Sequence, residues 1–310
     1  MSNPTFSILI TTKNRKVDLG FTLNEIQHLL NRKDVVCIIC DDGSSDGTSN
    51  YIKTNYPEIQ LLQHPISRGY IYSRNRLLRL VNTAYAISLD DDAHFITSNP
   101  LECISNFFEL NPDCGLVALR IFWGLQQPGI TISSTNPCQV QGFVGCAHVW
   151  RMSAWKDIPD YPEWFVFYGE EDFASFHLFK KKWKVFYLPE VLVHHRADNK
   201  ARKKNKDYMQ RQRRSLRSGW YLLFLFYPIG KILREFTYSL WIQLKTKVFK
   251  GDFKVLQAIV IALLDLVCNM PRILKCSNRL TPSEYDSYIK LPEAKIYWQP
   301  ELKTIKNEKL

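Results

Sequence analysis

With 310 residues, 45% of them hydrophobic and 23% charged, the chain can bury a full core and hold one large domain, or a domain with an appendage. That composition excludes a disordered tail. The formal charge of +11 calls for a negatively charged partner, and phosphate, nucleic acid and anionic lipid all qualify until the charges are located.

The chain opens on "MSNPTFSILITTKNR", with no basic leader followed by a long apolar segment, so a cytoplasmic location is expected. "TFSILITT" reads as a short β-branched strand, residues 16 to 31 have helical apolar spacing, and "DVVCIICDDGSSDGT" reads as a second strand running into a turn. A helix over about 46–54, a strand at "EIQLLQH", a helix at "RNRLLRLVNTA" and a strand at "YAISLDDD" follow. Nearly all-apolar strands alternating with helices predict an α/β fold: a doubly wound, mixed but mostly parallel sheet covered on both faces. Eight cysteines (37, 40, 103, 114, 138, 146, 268 and 276) show no disulfide or zinc spacing. The close pair in "CIIC" lies in a strand, where positions i and i+3 point to opposite faces, so buried reduced thiols are expected.

Ligands of such sheets bind where the carboxyl ends of the strands meet the following loops, and two acidic clusters sit at such ends. In "CDDGSSDGT", Asp41 and Asp42 offer carboxylates to a nucleobase or ribose, and Gly43 permits close backbone approach. The same letters also make an ordinary turn capping the next helix. In "AISLDDDAHF" the carboxylates of Asp90, Asp91 and Asp92 repel one another and lose hydration beside an apolar strand. A divalent cation, Mg²⁺ or Mn²⁺, compensates such a cluster, taking carboxylate, water and phosphate oxygens. In an extended segment Asp90 and Asp92 project to one side and Asp91 to the other, so the useful pair is D-x-D.

Taken in order, "FSILITTKNR", "IICDDGSSDGT", "RGYIYSRN", "ISLDDDAHF", "GCAHVWRMSAW", "YGEEDFASFHL" and "PEVLVHH" resemble the motifs of the inverting family-2 glycosyltransferases with the GT-A fold, over about residues 5–200. The resemblance implies a Rossmann-like GT-A domain at 1–200. It implies a hexosyl- or deoxyhexosyl-transferase of bacterial surface-polysaccharide type, using a nucleotide-diphosphate sugar (UDP, dTDP or GDP) with Mn or Mg. Thr11, Arg15, Asp42, Arg74, Asp90 and Asp91 would bind the nucleotide-sugar, with Asp91 the least expected at the metal. Asp90 and Asp92, with His194 or His195, would hold the metal. The general base, which takes the proton of an attacking glycan or lipid-linked hydroxyl, falls in "GEED". Glu171 satisfies both possible registers and ranks with Asp172, with Glu170 third. His177 stands where Arg is usual, Lys182 where Gly is usual, and Ala174 interrupts a common acidic position. In the acceptor half, Gly142 and Gly145 would let backbone approach an acceptor, and Trp155, Tyr161, Trp164 and Phe165 either stack on sugars or belong to the core.

Beyond residue 200 the excess charge is found: residues 200–217 hold nine Lys/Arg and one acid. Region 201–310 is expected to be basic, helical and amphipathic. In its first apolar segment charges interrupt the runs too often to span a bilayer, so it fits helices lying in an anionic interface, with Trp220, Tyr221, Tyr227, Tyr238 and Trp241 at headgroup level. A second apolar segment, "VLQAIVIALLDLVCNMP", ends at Pro271 beside it. A docked helical subdomain is the alternative. The combined expectation is a peripheral enzyme at the inner face of the plasma membrane with no nucleic-acid partner, because the aromatics of the basic region sit in apolar runs rather than a charged groove. A nucleotidyltransferase would carry a Gly-rich loop after the first strand, which "TTKNRK" lacks. A non-catalytic nucleotide-sugar-binding relative would not need the acids of "GEED".

Overall fold

The computed structural model describes residues 5–129, 131–197 and 207–294. Its first half alternates as expected: β1 (Phe6–Thr12), α1 (Lys16–Glu25), α2 (Gln27–Leu30), β2 (Val35–Asp41), α3 (Thr48–Asn55), β3 (Gln60–Gln63), α4 (Tyr70–Leu80) and β4 (Tyr85–Asp90). The single helix expected over 16–31 is interrupted at Ile26, which leaves helical geometry and is fully buried. Next come β5 (Ala93–Phe95), α5 (Pro100–Leu110), β6 (Cys114–Trp123), β7 (Cys138–Gln139), β8 (Ala147–Arg151), α6 (Met152–Lys156), α7 (Glu170–Lys180) and β9 (Lys184–His195).

The strands form one sheet in the order β3-β2-β1-β4-β8-β6-β9-β5, with β7 paired to β9. β1, β2, β3, β4, β6 and β9 run in one direction, and β5, β7 and β8 run against them. β1 lies between β2 and β4, so the chain winds outward from it both ways and leaves a crevice at the carboxyl ends, the switch point of an open α/β sheet. In register, Thr11 sits opposite Asp90 and Thr12 opposite Asp41, so both acidic clusters reach the same edge. Buried β-branched and leucine side chains such as Ile8, Ile10, Ile39, Ile87 and Val149 fill one face of the sheet. All eight cysteines are free, and burial pushes the Cys37 and Cys40 thiols up to about 12 and 11, keeping them protonated.

The C-terminal helices are α8 (Tyr208–Phe226), α9 (Ile229–Thr246), α10 (Phe253–Lys275) and α11 (Pro282–Tyr288). The start of the basic run and the expected boundary at 200/201 lie outside the described residues. Beyond them the helices share the core of the other sheet face: Leu216, Leu225 and Phe226 of α8 join one apolar cluster with Phe173, Phe176 and Tyr187. Trp220 and Tyr221 are 1% exposed, which corrects their expected place at headgroup level, whereas Tyr238 and Trp241 are exposed. α10 runs through Pro271 to Lys275, four residues beyond the expected end, and by length and composition alone it suffices to cross a membrane. One of its faces, with Val255, Ile259, Ala262 and Leu266, is buried in that same cluster.

Candidate active site

A cavity of about 490 Å³ opens at the switch point. Its acidic wall is set by strand register. β5 pairs antiparallel with β9 so that Ala93 faces His195, which brings the preceding Asp92 beside the histidine. His195 Nε2 lies 2.9 Å from Asp92 Oδ1, and one ligand atom from each of Asp90, Asp92 and His195 falls within 4.8 Å of the others. Oxygen and imidazole donors at that spacing suit a divalent cation. His194, one residue earlier, points to the other face of its strand. Its Nε2 is 2.7 Å from the Gly124 carbonyl and its ring packs on His94, so of the two expected histidines only His195 reaches the carboxylates.

β4 ends at Asp90 and a turn at 91–92 leads into β5, so the extended segment expected here is absent, yet the three aspartates still separate. Asp91 turns inward, accepts 2.8 Å from Thr12 Oγ1 and lies 3.1 Å from Arg15 Nε. Burial pushes its carboxyl up, against the pull of Arg15. Arg15 also donates 2.7 Å to Asp92, so this guanidinium spans both acids. Asp90, at the mouth, accepts from Tyr70 Oη (2.8 Å) and from Arg74 Nη2 (3.2 Å), whose guanidinium stacks on the Tyr70 ring. Arg74 is 4% exposed and also donates to the Gly145 carbonyl, so it is a buried clamp rather than a solvated charge.

Asp41 takes the ordinary turn role, accepting from Ser44 N–H and Ser49 Oγ. Asp42 lines the cavity, but its oxygens are engaged by Ser67 Oγ (2.6 Å), the Arg68 and Gly69 N–H groups (2.7 and 3.0 Å) and His64 Nδ1 (3.0 Å). Burial would raise its pKa, but these hydrogen bonds outweigh it and hold the carboxyl down at about 2. Asp42 therefore shapes the wall by fixing the 67–69 turn.

The second acidic cluster begins α7. Residues on a helix advance about 100° each, so three in a row cannot share one direction. Glu170 and Glu171 line the cavity of the aspartates, whereas Asp172 lines a different one. Burial raises the Glu171 carboxyl well above its ordinary range, and its neighbour Glu170 adds to the effect; Glu170 is raised likewise. Gly145 leaves the space that Glu171 Oε1 occupies. Before α7, Val166, Tyr168 and Gly169 all have left-handed φ (68°, 70° and 85°). Such backbone persists only where its surroundings hold it. α8 does so: Arg217 donates to the Phe165 carbonyl and Ser218 Oγ to that of Phe167.

Thr11 lines the cavity too, and its Oγ1, like Glu170 Oε2, is buried without a hydrogen-bond partner among the described residues. Trp155, Tyr161 and Phe165 are at most 4% exposed and pack in the core, which corrects the stacking alternative for them; Trp164 is partly buried against the same cluster. Tyr70, Tyr168 and Arg211 line the cavity and were not singled out from the sequence. Tyr70 in "RGYIYSRN" and Tyr168 at the head of "YGEEDFASFHL" carried a signal by position. Arg211 was one of nine similar charges.

Residues 7–122 match the sequence model of glycosyl transferase family 2. No curated protein matches the chain in sequence. Among solved structures, GalNAc-T7 with UDP, GalNAc and Mn²⁺ superimposes with a TM-score of 0.58 at 13% identity, over 74% of this chain and 49% of that one. The alignment thus spans about half the length of GalNAc-T7. The Pyrobaculum calidifontis mannosyltransferase PcManGT, in complex with GDP-Man and Mn²⁺, gives 0.54 at 13% identity over 93% and 84%. S. aureus TarS 1-349 gives 0.55 at 15% over 88% and 83%. At such identities these likenesses bear on the fold, and the fold is GT-A. Over residues 7–122 the chain is similar to glycosyl transferase family 2, and its fold is the one these transferase structures share.

Proposed function

We propose that the chain transfers a sugar from a nucleoside-diphosphate donor to a hydroxyl of a glycan or lipid-linked glycan, inverting the anomeric centre. The observation that carries this reading is the meeting of Asp90, Asp92 and His195 with Glu170 and Glu171 in one cavity, with Asp172 turned away. Asp90, Asp92 and His195 are the residues that would hold Mn²⁺ or Mg²⁺, which when bound neutralises charge on the departing diphosphate. GalNAc-T7 and PcManGT, whose fold this chain shares, were solved with Mn²⁺. Thr11 and Arg15 would line the nucleotide side, and Arg74 fixes Asp90. Glu171 is the base: it takes the acceptor's proton as the hydroxyl attacks the anomeric carbon from the face opposite the leaving group. Incubation with UDP-, GDP- and dTDP-sugars and Mn²⁺, followed by NMR of the released nucleotide and of the product anomer, tests this. A retained anomeric configuration, or no release from any donor, contradicts it.

Gly145→Ala tests the base separately. The new Cβ would enter the space of Glu171 Oε1, a movable end that yields at little cost to the fold. Donor turnover should fall roughly 10²-fold, the effect of misplacing a catalytic group by about 1 Å, with the melting temperature near wild type.

We further propose that α10 docks on an anionic membrane, consistent with work at the cytoplasmic face on a surface-polysaccharide precursor. Phe253, Leu256, Val260, Leu264, Val267 and Leu274 recur at helical spacing, and each is at least 40% exposed. A continuous apolar stripe of this kind marks an interaction surface. Lys254 opens the helix and Arg272 and Lys275 close it, the pattern of an interfacial helix on anionic lipid. Val260→Asp with Leu264→Asp should weaken sedimentation with phosphatidylglycerol vesicles by roughly a hundredfold, at about 1.5–3 kcal/mol per apolar side chain withdrawn. Unchanged sedimentation would overturn the docking face.

A further inference from the structure

A second cavity, of about 540 Å³, lies between the sheet domain and helices α8, α9 and α11. Three carboxylates face it, those of Asp172, Glu235 and Glu293, and among the described residues no Lys, Arg or His lines it, in a chain of charge +11. An anion would be repelled there, so neither the nucleotide nor a lipid phosphate is suited to it. The walls carry aromatic rings, Phe143, Tyr227, Tyr238 and Tyr288, together with the uncharged Ser239 and Gln243. The side-chain oxygen of Gln243 is buried without a partner among the described residues. Aromatic rings offer flat apolar surface, amides and hydroxyls both give and take hydrogen bonds, and carboxylates accept them. A neutral polyhydroxylated ligand uses all of these at once, whereas a simple cation uses only the carboxylates and rings.

The two cavities share a thin partition. Gln141, Gly142 and Phe143 line this one and Val144, Gly145 and Cys146 line the donor cavity. Gly142 faces Ser175 and Asp172 at ordinary contact distance, while Gly145 is pressed close against Glu171. Gly142 and Gly145 are three residues apart and so at most about 11 Å from each other, a distance that a short glycan bridges.

We propose that this cavity is a subsite for the neutral glycan part of the acceptor, holding it through Asp172 and the aromatic walls while its terminal hydroxyl reaches Glu171. This deepens the transferase reading above and rests on it. Burial and Glu293 push the Asp172 carboxyl up to about 6, so at neutral pH it is mainly an acceptor and donates as well only as pH falls toward 6.

Saturation-transfer NMR of the full chain with methyl β-glucoside, methyl β-galactoside and cellobiose tests the subsite, with glucose 6-phosphate and glucosamine as charged counterparts. A Cβ at Gly219, on α8, meets nothing within 4 Å, so the side chain of Gly219→Phe starts from open space on the cavity wall, in a helix that tolerates Phe better than glycine. Signal from at least one neutral probe is expected, lost in Gly219→Phe and retained in Glu171→Gln. Three outcomes overturn the subsite: no neutral probe gives signal, the signal survives Gly219→Phe, or glucosamine or glucose 6-phosphate displaces the neutral probes. Calorimetry of nucleoside diphosphates with Mg²⁺ on the same samples reports the donor site alone. Its failure beside an intact saccharide signal would sink the donor reading and leave the saccharide site standing.

Discussion

Glu171→Gln should lower transfer by roughly 10²- to 10⁴-fold, the usual worth of a positioned general base, and leave nucleoside-diphosphate binding unchanged. The amide keeps the shape and removes the proton acceptor. Asp172→Asn should leave the proton-transfer step intact, since its carboxylate lines the other cavity. The pH profile adds a sign. Burial first and Glu170 second hold the Glu171 carboxyl above its ordinary range, so its basic form accumulates only as pH rises through that raised pKa. Wild-type turnover should therefore climb with pH above the usual carboxylate range, and Glu171→Gln should lack that limb. The same shift opposes stability: the folded chain keeps a proton that the unfolded chain releases, so this carboxyl's contribution falls as pH rises from the ordinary value to the raised one. A wild-type profile flat in this range would remove Glu171 from the role.

Asp92→Asn should have the second large effect. Asp92 meets His195 at 2.9 Å and Arg15 at 2.7 Å, so the substitution keeps hydrogen-bonding shape while removing the charge on which a divalent ion depends. A metal interaction is worth several kcal/mol, so the tightening of nucleotide binding by Mn²⁺ should fall by roughly 10²-fold or more. Asp91→Asn, by contrast, alters the Thr12 and Arg15 contacts and should leave the Mn²⁺ dependence in place.

How much of this was legible from the residues depends on the range of the interactions. The strands announced themselves because each is a short apolar run ending in polar turn letters, whereas Asp91 and Asp92 sit in the turn between β4 and β5 and not in the extended segment expected there. Neither the choice between His194 and His195 nor that between Asp172 and Glu171 followed from local letters. The first depends on the register of β5 against β9, the second on the direction in which α7 leaves Gly169. Arg217 and Ser218 illustrate the rest. Within a basic, apolar run they read as surface charge and spacer, yet they hold the loop that sets Glu170 and Glu171. Because α8 shares the core with α7, removing everything after residue 200 would disturb Glu170 and Glu171 as well as any membrane contact.

The measurement closest to the central claim is calorimetric titration of UDP, GDP, dTDP and CMP, each with and without Mn²⁺, into wild type and Asp92→Asn. One of the nucleotides is expected to bind the wild-type chain, more tightly with Mn²⁺, and to lose that increment in Asp92→Asn. Binding of none of them, or a Mn²⁺ increment that survives the substitution, would contradict a metal-assisted nucleotide-sugar site built on Asp90, Asp92 and His195.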